Sequence, residues 1–400
     1  MGLGENGPVA STSGTLRRIP RSIWALGGVS LLMDISSEMI HSLLPVYMVA
    51  VLGTSVLMVG LIEGLAEATA LIVKVFSGVL SDYLGRRKPL AVLGYGLGAL
   101  AKPLFALSTS AGFVLTARQM DRVGKGIRGA PRDALVADIA PADLRGACFG
   151  LRQALDTVGA FVGPVLAITL MLLWANDFRA VFWVAVLPAV AAVALLALGV
   201  KEPDRAPSAT RPDLISRVNL GRLGGAYWWV VVLGGVFTLA RFSEAFLVLR
   251  AQQGGLPLAW APMVLVAMNV VYAACAYPFG KLADTVCHGK LLAWGMAVLL
   301  AADVLLAWSN HWAWVWGGIL LWGLHLAMTQ GPLATMVADV APPDLRGTAF
   351  GFFNLASGVA MLLASVLAGS LWDVFGAPVS FVAGAAFCLI GLLMMALRRR

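Results

Sequence analysis

The sequence predicts an all-α membrane protein, with twelve transmembrane helices forming two pseudo-symmetric six-helix bundles. Three observations carry this prediction. Residues 135–150 (LVADIAPADLRGACFG) and 336–351 (MVADVAPPDLRGTAFG) agree at 11 of 16 positions across an offset of 201, half of the 400-residue chain. A repeat of that length means two halves built on one plan. Hydrophobic residues make up 60% of the chain and charged residues only 12%, against about 25% charged in a soluble domain, so the apolar surplus has to face lipid. Finally, a helix needs roughly 20 apolar residues to cross the hydrocarbon core, and the chain offers twelve such runs.

In order, these runs cover residues 22–51, 56–80, 90–109, 112–136, 147–173, 179–199, 226–251, 258–281, 290–308, 311–338, 347–373 and 377–397. A polar tail, 1–21, precedes the first run and carries Arg17, Arg18 and Arg21. The longest polar gap, 200–225, carries Lys201, Arg205, Arg211, Arg217 and Arg222 and separates the bundle 22–199 from the bundle 226–400. The remaining basic residues cluster in alternate loops: Arg86, Arg87 and Lys88; Arg145; Lys290; Arg346; and the final three arginines. The other set of loops, near residues 53, 110, 175, 255, 310 and 375, is almost free of Lys and Arg. Basic loops stay in the cytoplasm, so both termini are expected there. This pattern also accounts for the net charge of +8 without a nucleic-acid partner. The four cysteines are scattered, with neither a CxxC nor a metal-ligand spacing. No phosphate-binding Gly-x4-Gly-Lys-Ser/Thr loop and no hydrolase triad pattern is present, which argues against an ATP-driven pump and against an enzyme. Nothing calls for a cofactor.

Two loops repeat one design. The first runs Gly78, Asp82, Gly85, Arg86, Arg87, Lys88, and the second runs Gly280, Asp284, His288, Lys290. Both resemble the G-x-L-a-D-r-x-G-r-r-k loop of the major facilitator superfamily (MFS); the second is degraded, with Cys287 and His288 at positions where Gly and Arg are usual. In the fifth run, Gly150, Gly159, Gly163 and Pro164 resemble the MFS motif associated with antiporters, except that Ala167 and Ile168 replace its final glycines. Three further strings, around Asp34 and Glu38, from Asp121 to Asp133, and around Arg250 and Gln252, resemble a bacterial and archaeal group of exporters. The resemblance implies the MFS fold, alternating access, a gating role for Asp82, Arg86, Asp284, Gly159, Gly163 and Pro164, and a monomer in the bacterial inner (cytoplasmic) membrane.

Ionisable side chains inside a span are costly and mark function by default. Most of them lie in the first half. Asp34 and Glu38 are four residues apart, as are Glu63 and Glu67. Arg118, Asp121, Arg122, Lys125, Arg128, Arg132 and Asp133 follow helical spacing in the fourth run, and Arg152 and Asp156 share a face of the fifth. Such acids either fix helix packing through buried ion pairs or exchange protons during transport. Asp34, Glu38, Glu63 and Glu67 are the candidate proton carriers, with Asp34 first because its second-half counterpart, Ala240, is apolar. The second half is plainer. Arg241, Glu244, Trp322, His325, Phe353 and Asn354 are its candidate solute contacts.

The leading expectation is a proton-coupled antiporter that exports a small organic solute, drug- or siderophore-like, with the bilayer, the solute and protons as its only partners. Divalent-metal efflux is the alternative, drawn from Met33, Asp34, Glu38, Met39 and His41 in the first run and His325 with Met328 in the tenth. Solute uptake by symport is the third possibility.

Overall fold

The computed structural model describes residues 18–84, 86–203, 222–283, 286–308, 311–342 and 345–397. Helices appear in the expected order: α1 (Arg21–Val51), α2 (Val56–Leu84), α3 (Lys88–Leu107), α4 (Ala111–Ile139), α5 (Arg145–Leu173), α6 (Phe178–Gly199), α7 (Gly225–Gln253), α8 (Met263–Ala283), α9 (His288–Trp308), α10 (Trp312–Val340), α11 (Arg346–Phe375) and α12 (Ala377–Leu397). Among the described residues, ten helices are long and apolar enough to cross a membrane. α4 is not one of the ten, although at 29 residues it is among the longest; its charged stripe offsets its apolar residues.

Side chains set several helix starts. Ser110 Oγ accepts from Phe113 N at 3.3 Å, Asp177 Oδ1 from Ala180 N at 3.1 Å and His311 Nδ1 from Ala313 N at 3.3 Å, satisfying N–H groups that a helix start otherwise leaves open. At the opposite, basic end, Lys88 Nζ donates at 2.8 Å to the carbonyls of Ala197 and Val200, a cation at the negative pole of α6.

Two helices are interrupted. α1 is regular over Arg21–His41, breaks at Ser42 and Leu43, and resumes through a short turn into a π-helical stretch, Tyr47–Val51. α7 is helical over Gly225–Ala240, opens at Arg241–Glu244 and resumes over Ala245–Gln253. These are corresponding helices of the two halves, and both breaks face the space between the halves.

The hydrophobic packing is unequal at the two ends. Away from the basic loops, one core joins both halves: Met39, Tyr47, Val59, Ile62 and Phe182 share it with Phe246, Met268, Trp322, Trp372 and Phe381. At the basic end each half has a core of its own, one around Ile23, Tyr95, Val136 and Leu196, the other around Tyr227, Val337 and Ala349. The hydrophobic cores of the two bundles are thus merged at one end and distinct at the other, although α2 and α11 still meet there at Val75 and Gly351. α2 and α11 form the longest seam between the bundles. At Gly369 an added Cβ would sit 2.7 Å from the Leu57 Cα, and at Gly64 3.0 Å from the Leu362 Cα, so only glycine permits this backbone approach.

Candidate functional site

Between the halves, at mid-length, lies a cavity of about 280 Å³. Glu38, His41, Glu63, Glu67, Arg118, Arg122 and Lys125 line it from the first half. Arg241, Phe242, Ser243, Glu244 and Val248, at the break in α7, line it from the second, with Leu265 and Met361.

The first-half wall is an ion-pair network built from the stripe on α4. Arg118 Nη2 is 2.5 Å from Glu63 Oε2, with both side chains buried. Arg122 Nη1 is 3.1 Å from Glu67 Oε1 and Arg122 Nε 3.6 Å from Asp121 Oδ2. The Arg122 Nη2 also approaches the His41 ring, 2.9 Å from Nδ1 and 3.2 Å from Nε2. His41 Nε2 lies 3.3 Å from Asp121 Oδ2, and Nδ1 3.8 Å from Glu38 Oε1. Behind this layer, Lys102 on α3 donates to Asp121 Oδ1 at 2.8 Å and to Ser37 Oγ at 3.0 Å. Guanidinium groups still retain unused donors: Arg118 Nε and Nη1 and Arg122 Nε have no hydrogen-bond partner among the described residues.

A second cluster lies toward the basic end. Arg132 reaches Asp133 at 3.1 Å and Asp156 at 3.7 Å, and Arg152 reaches Asp156 at 3.6 Å and Asp133 at 3.9 Å. Asp34 faces Asp156 across α1 and α5. Arg128 is buried with its guanidinium 4.7 Å from the Tyr95 ring centroid, a cation–π geometry. Exposure varies within both clusters: the Glu63 side chain is 7% exposed and Glu67 38%, Arg152 8% and Asp133 40%.

The glycines of α5 position the acids of α1. A Cβ on Gly159 would meet the Leu31 carbonyl oxygen at 2.6 Å and the Asp34 Cβ at 3.0 Å; one on Gly163 would meet the Ile35 oxygen at 2.7 Å and the Glu38 Cβ at 2.9 Å. These two residues, with buried Pro164 beside them, seat α1 so that Asp34 and Glu38 turn toward α4.

The second half departs from expectation. Trp322 is fully buried and packs on Phe242, with ring centroids 5.5 Å apart. His325 is 2% exposed, and its Nδ1 is 2.8 Å from the Gly295 carbonyl oxygen. Neither lines the cavity; both stabilise the inside of the second bundle, and Phe353 packs against Gly234 and the basic-end core. Asn354 is half-buried on the same helix. Of the six expected solute contacts, then, Arg241 and Glu244, at the break in α7, line the cavity, and Trp322, His325, Phe353 and Asn354 are not among its lining residues. Of the gating residues, Arg86 is exposed, while Asp284 and the side chain of Asp82 lie outside the described residues. Lys102 escaped sequence reasoning, although a lone lysine inside an apolar run is itself a signal. His41 stood there only as a metal donor.

Two six-helix bundles packed around a charged cavity are the architecture of a membrane transport protein. Sequence comparison agrees: the Major Facilitator Superfamily profile matches residues 26–364 and 247–400. The chain belongs to the major facilitator superfamily. It is 32% identical over 387 residues to an uncharacterised MFS-type transporter of Methanocaldococcus jannaschii, covering 95% of each chain. It is 25% identical to the multidrug resistance protein MdtH of Photorhabdus laumondii, covering 86% of this chain and 85% of that one. Among solved structures, a bacterial homologue of the human lysosomal transporter Spinster, in an inward-facing and occupied conformation, superposes with a TM-score of 0.77 at 15% identity, covering 94% and 95% of the two chains. That likeness is one of fold. The family consists of transporters of small molecules, not enzymes.

Proposed function

We propose that this transporter is a proton-coupled antiporter that exports a small organic solute across the cytoplasmic membrane. The observation that carries the reading is the cavity wall, where Glu38, Glu67 and Glu244 line one solute-sized space from both halves. Their carboxylates accept hydrogen bonds from a solute's amine, hydroxyl or amide groups, and protonation removes that capacity. Proton and solute then compete for one site, and competition in an alternating-access carrier yields exchange. The excess of Lys and Arg in one set of loops supports a cytoplasmic orientation for that end, and on this reading the cavity opens where an exporter loads. The MdtH relative carries multidrug resistance in its name, which supports export of organic solutes. Metal efflux finds less support, because both imidazoles it needs are engaged: His41 with Arg122 and Asp121, His325 with the Gly295 carbonyl.

The test is a panel of toxic organic compounds and divalent metals on cells lacking and overproducing the protein. Overproduction should raise resistance to one organic class, a protonophore should abolish the gain, and Glu38→Gln, Glu67→Gln and Asp34→Asn should each reduce it. Resistance that survives the protonophore, or that extends only to metals, overturns the reading.

A further inference from the structure

We infer that His41 is the proton-binding group of this carrier, and that it works by exchanging Arg122 for a proton. The inference rests on the proton-coupled reading above and deepens it by naming the site.

The charged groups around His41 come from every helix packed on it. Glu38 shares its helix; Glu63 and Glu67 come from α2, Lys102 from α3, and Arg118, Asp121 and Arg122 from α4. Across the cavity stand Arg241 and Glu244, and Lys125, exposed, lies one turn further toward the basic end. Four carboxylates (Glu38, Glu63, Glu67, Asp121) surround the ring, with Lys102, Arg118, Arg122 and Lys125 as their counter-ions.

The contacts say how the exchange works. A guanidinium has N–H groups only and always donates. Arg122 Nη2 lies 2.9 Å from Nδ1 and 3.2 Å from Nε2, and Asp121 Oδ2 lies 3.3 Å from Nε2; a neutral ring with its proton on Nε2 donates to Asp121 and leaves Nδ1 as the acceptor for the guanidinium. A proton arriving at Nδ1 turns that acceptor into a donor. Arg122 then faces a like charge and a donor facing a donor, and it leaves. Two acids are already placed to hold the imidazolium: Asp121, and Glu38 at 3.8 Å. Arg122 retains its ion pair with Glu67 on the cavity wall. Proton binding thus draws Glu38 toward the ring and away from the cavity, removing an acceptor that a solute would use. His41 is also the last residue of the first segment of α1, directly before the break at Ser42 and Leu43, so a change in its partners acts on a joint in the helix.

The experiment is nuclear magnetic resonance of isotope-labelled histidine side chains in the purified full-length protein in lipid nanodiscs. Four histidines are present, and the His41 signal is the one lost in His41→Gln. Lowering the pH from about 8 through and below the window in which free imidazoles charge, to about 3.5, should protonate this ring and, in the same step, shift the arginine side-chain signal that is lost in Arg122→Gln. In Arg122→Gln the His41 transition should move to higher pH by about one unit or more, because the opposing cation has gone; this arm stands even if His41→Gln does not fold. In cells, His41→Gln should lose protonophore-sensitive resistance. A His41 signal unchanged across the range, or one that titrates identically with and without Arg122, overturns the inference while leaving a proton-driven carrier intact. Resistance indifferent to protonophores, with His41 titrating, overturns the coupling role together with the reading it rests on.

Discussion

Asp373, near the end of α11, caps the first turn of α2 from the other half of the molecule: its Oδ2 accepts from Leu57 N at 2.9 Å and its Oδ1 from Val56 N at 3.0 Å. An acidic side chain at a helix N-terminus satisfies orphan donors and meets the positive end of the dipole. Here the same contact fastens the end where the two cores merge.

Asp373→Ala should therefore loosen that end without unfolding either bundle. Losing such a cap costs about 1 kcal/mol, which favours the opened state roughly fivefold. A cysteine placed at Val59, buried in the shared core, should react faster with a membrane-impermeant thiol reagent in this background. Equal rates with and without Asp373 would show that the cap carries no share of the closure.

Lys102 and Asp303 sit 201 residues apart, the spacing of the repeat, and both are fully buried. Their surroundings differ. Lys102 holds Asp121, whereas Asp303 Oδ1 has no hydrogen-bond partner among the described residues, and its other oxygen lies 4.0 Å from Cys388 Sγ. Lys102→Met should cost about 3–5 kcal/mol, because it strands Asp121. Asp303→Asn should be neutral or stabilising. Thermal unfolding in detergent compares them directly, and equal losses in the two variants would refute the distinction.

The three glycines of the antiporter-like motif should not be equivalent. Gly150 has no heavy atom within 4 Å of an added Cβ, whereas Gly163 would push on Ile35 and Glu38. Gly150→Ala should leave transport unchanged. Gly163→Ala should force α1 outward at an overpacking cost of about 1–3 kcal/mol and lower transport more than it lowers expression. Efflux assays normalised to protein level decide the matter.

Glu63→Gln should disturb transport through Arg118 rather than through loss of an acid from the cavity. The amide keeps the shape but not the charge, so a buried guanidinium with two donors already unused loses its counter-ion. Solute affinity should change at every pH tested, whereas the His41→Gln effect should depend on pH. A Glu63→Gln profile that parallels that of His41→Gln would place both in the proton step.

Helix order and the charged stripes were readable before any coordinates because each follows from local chemistry: apolar length for the spans, 3.6-residue spacing for the stripe on α4. The pairing was only half readable. Spacing puts Arg118, Asp121 and Arg122 on one side of a helix, but which acid meets which base depends on how far α2 and α3 slide past α4, and nothing in a single helix encodes that slide. Lys102 was overlooked for this reason: its meaning lies in Asp121, 19 residues away on the next helix. Trp322 misled for another. A tryptophan among apolar residues reads alike whether it lines a cavity or fills a core, and here it is buried against Phe242.

The oily core shared by both halves has a consequence for biogenesis. When the sixth helix leaves the ribosome, Met39, Val59, Ile62 and their neighbours still present an unmatched face, because the residues that cover it, Phe246 and Trp372 among them, arrive only with α7 and α11. Lipid tails, as apolar as the missing side chains, can cover that face until the second set docks, so assembly of the two halves exchanges lipid for protein.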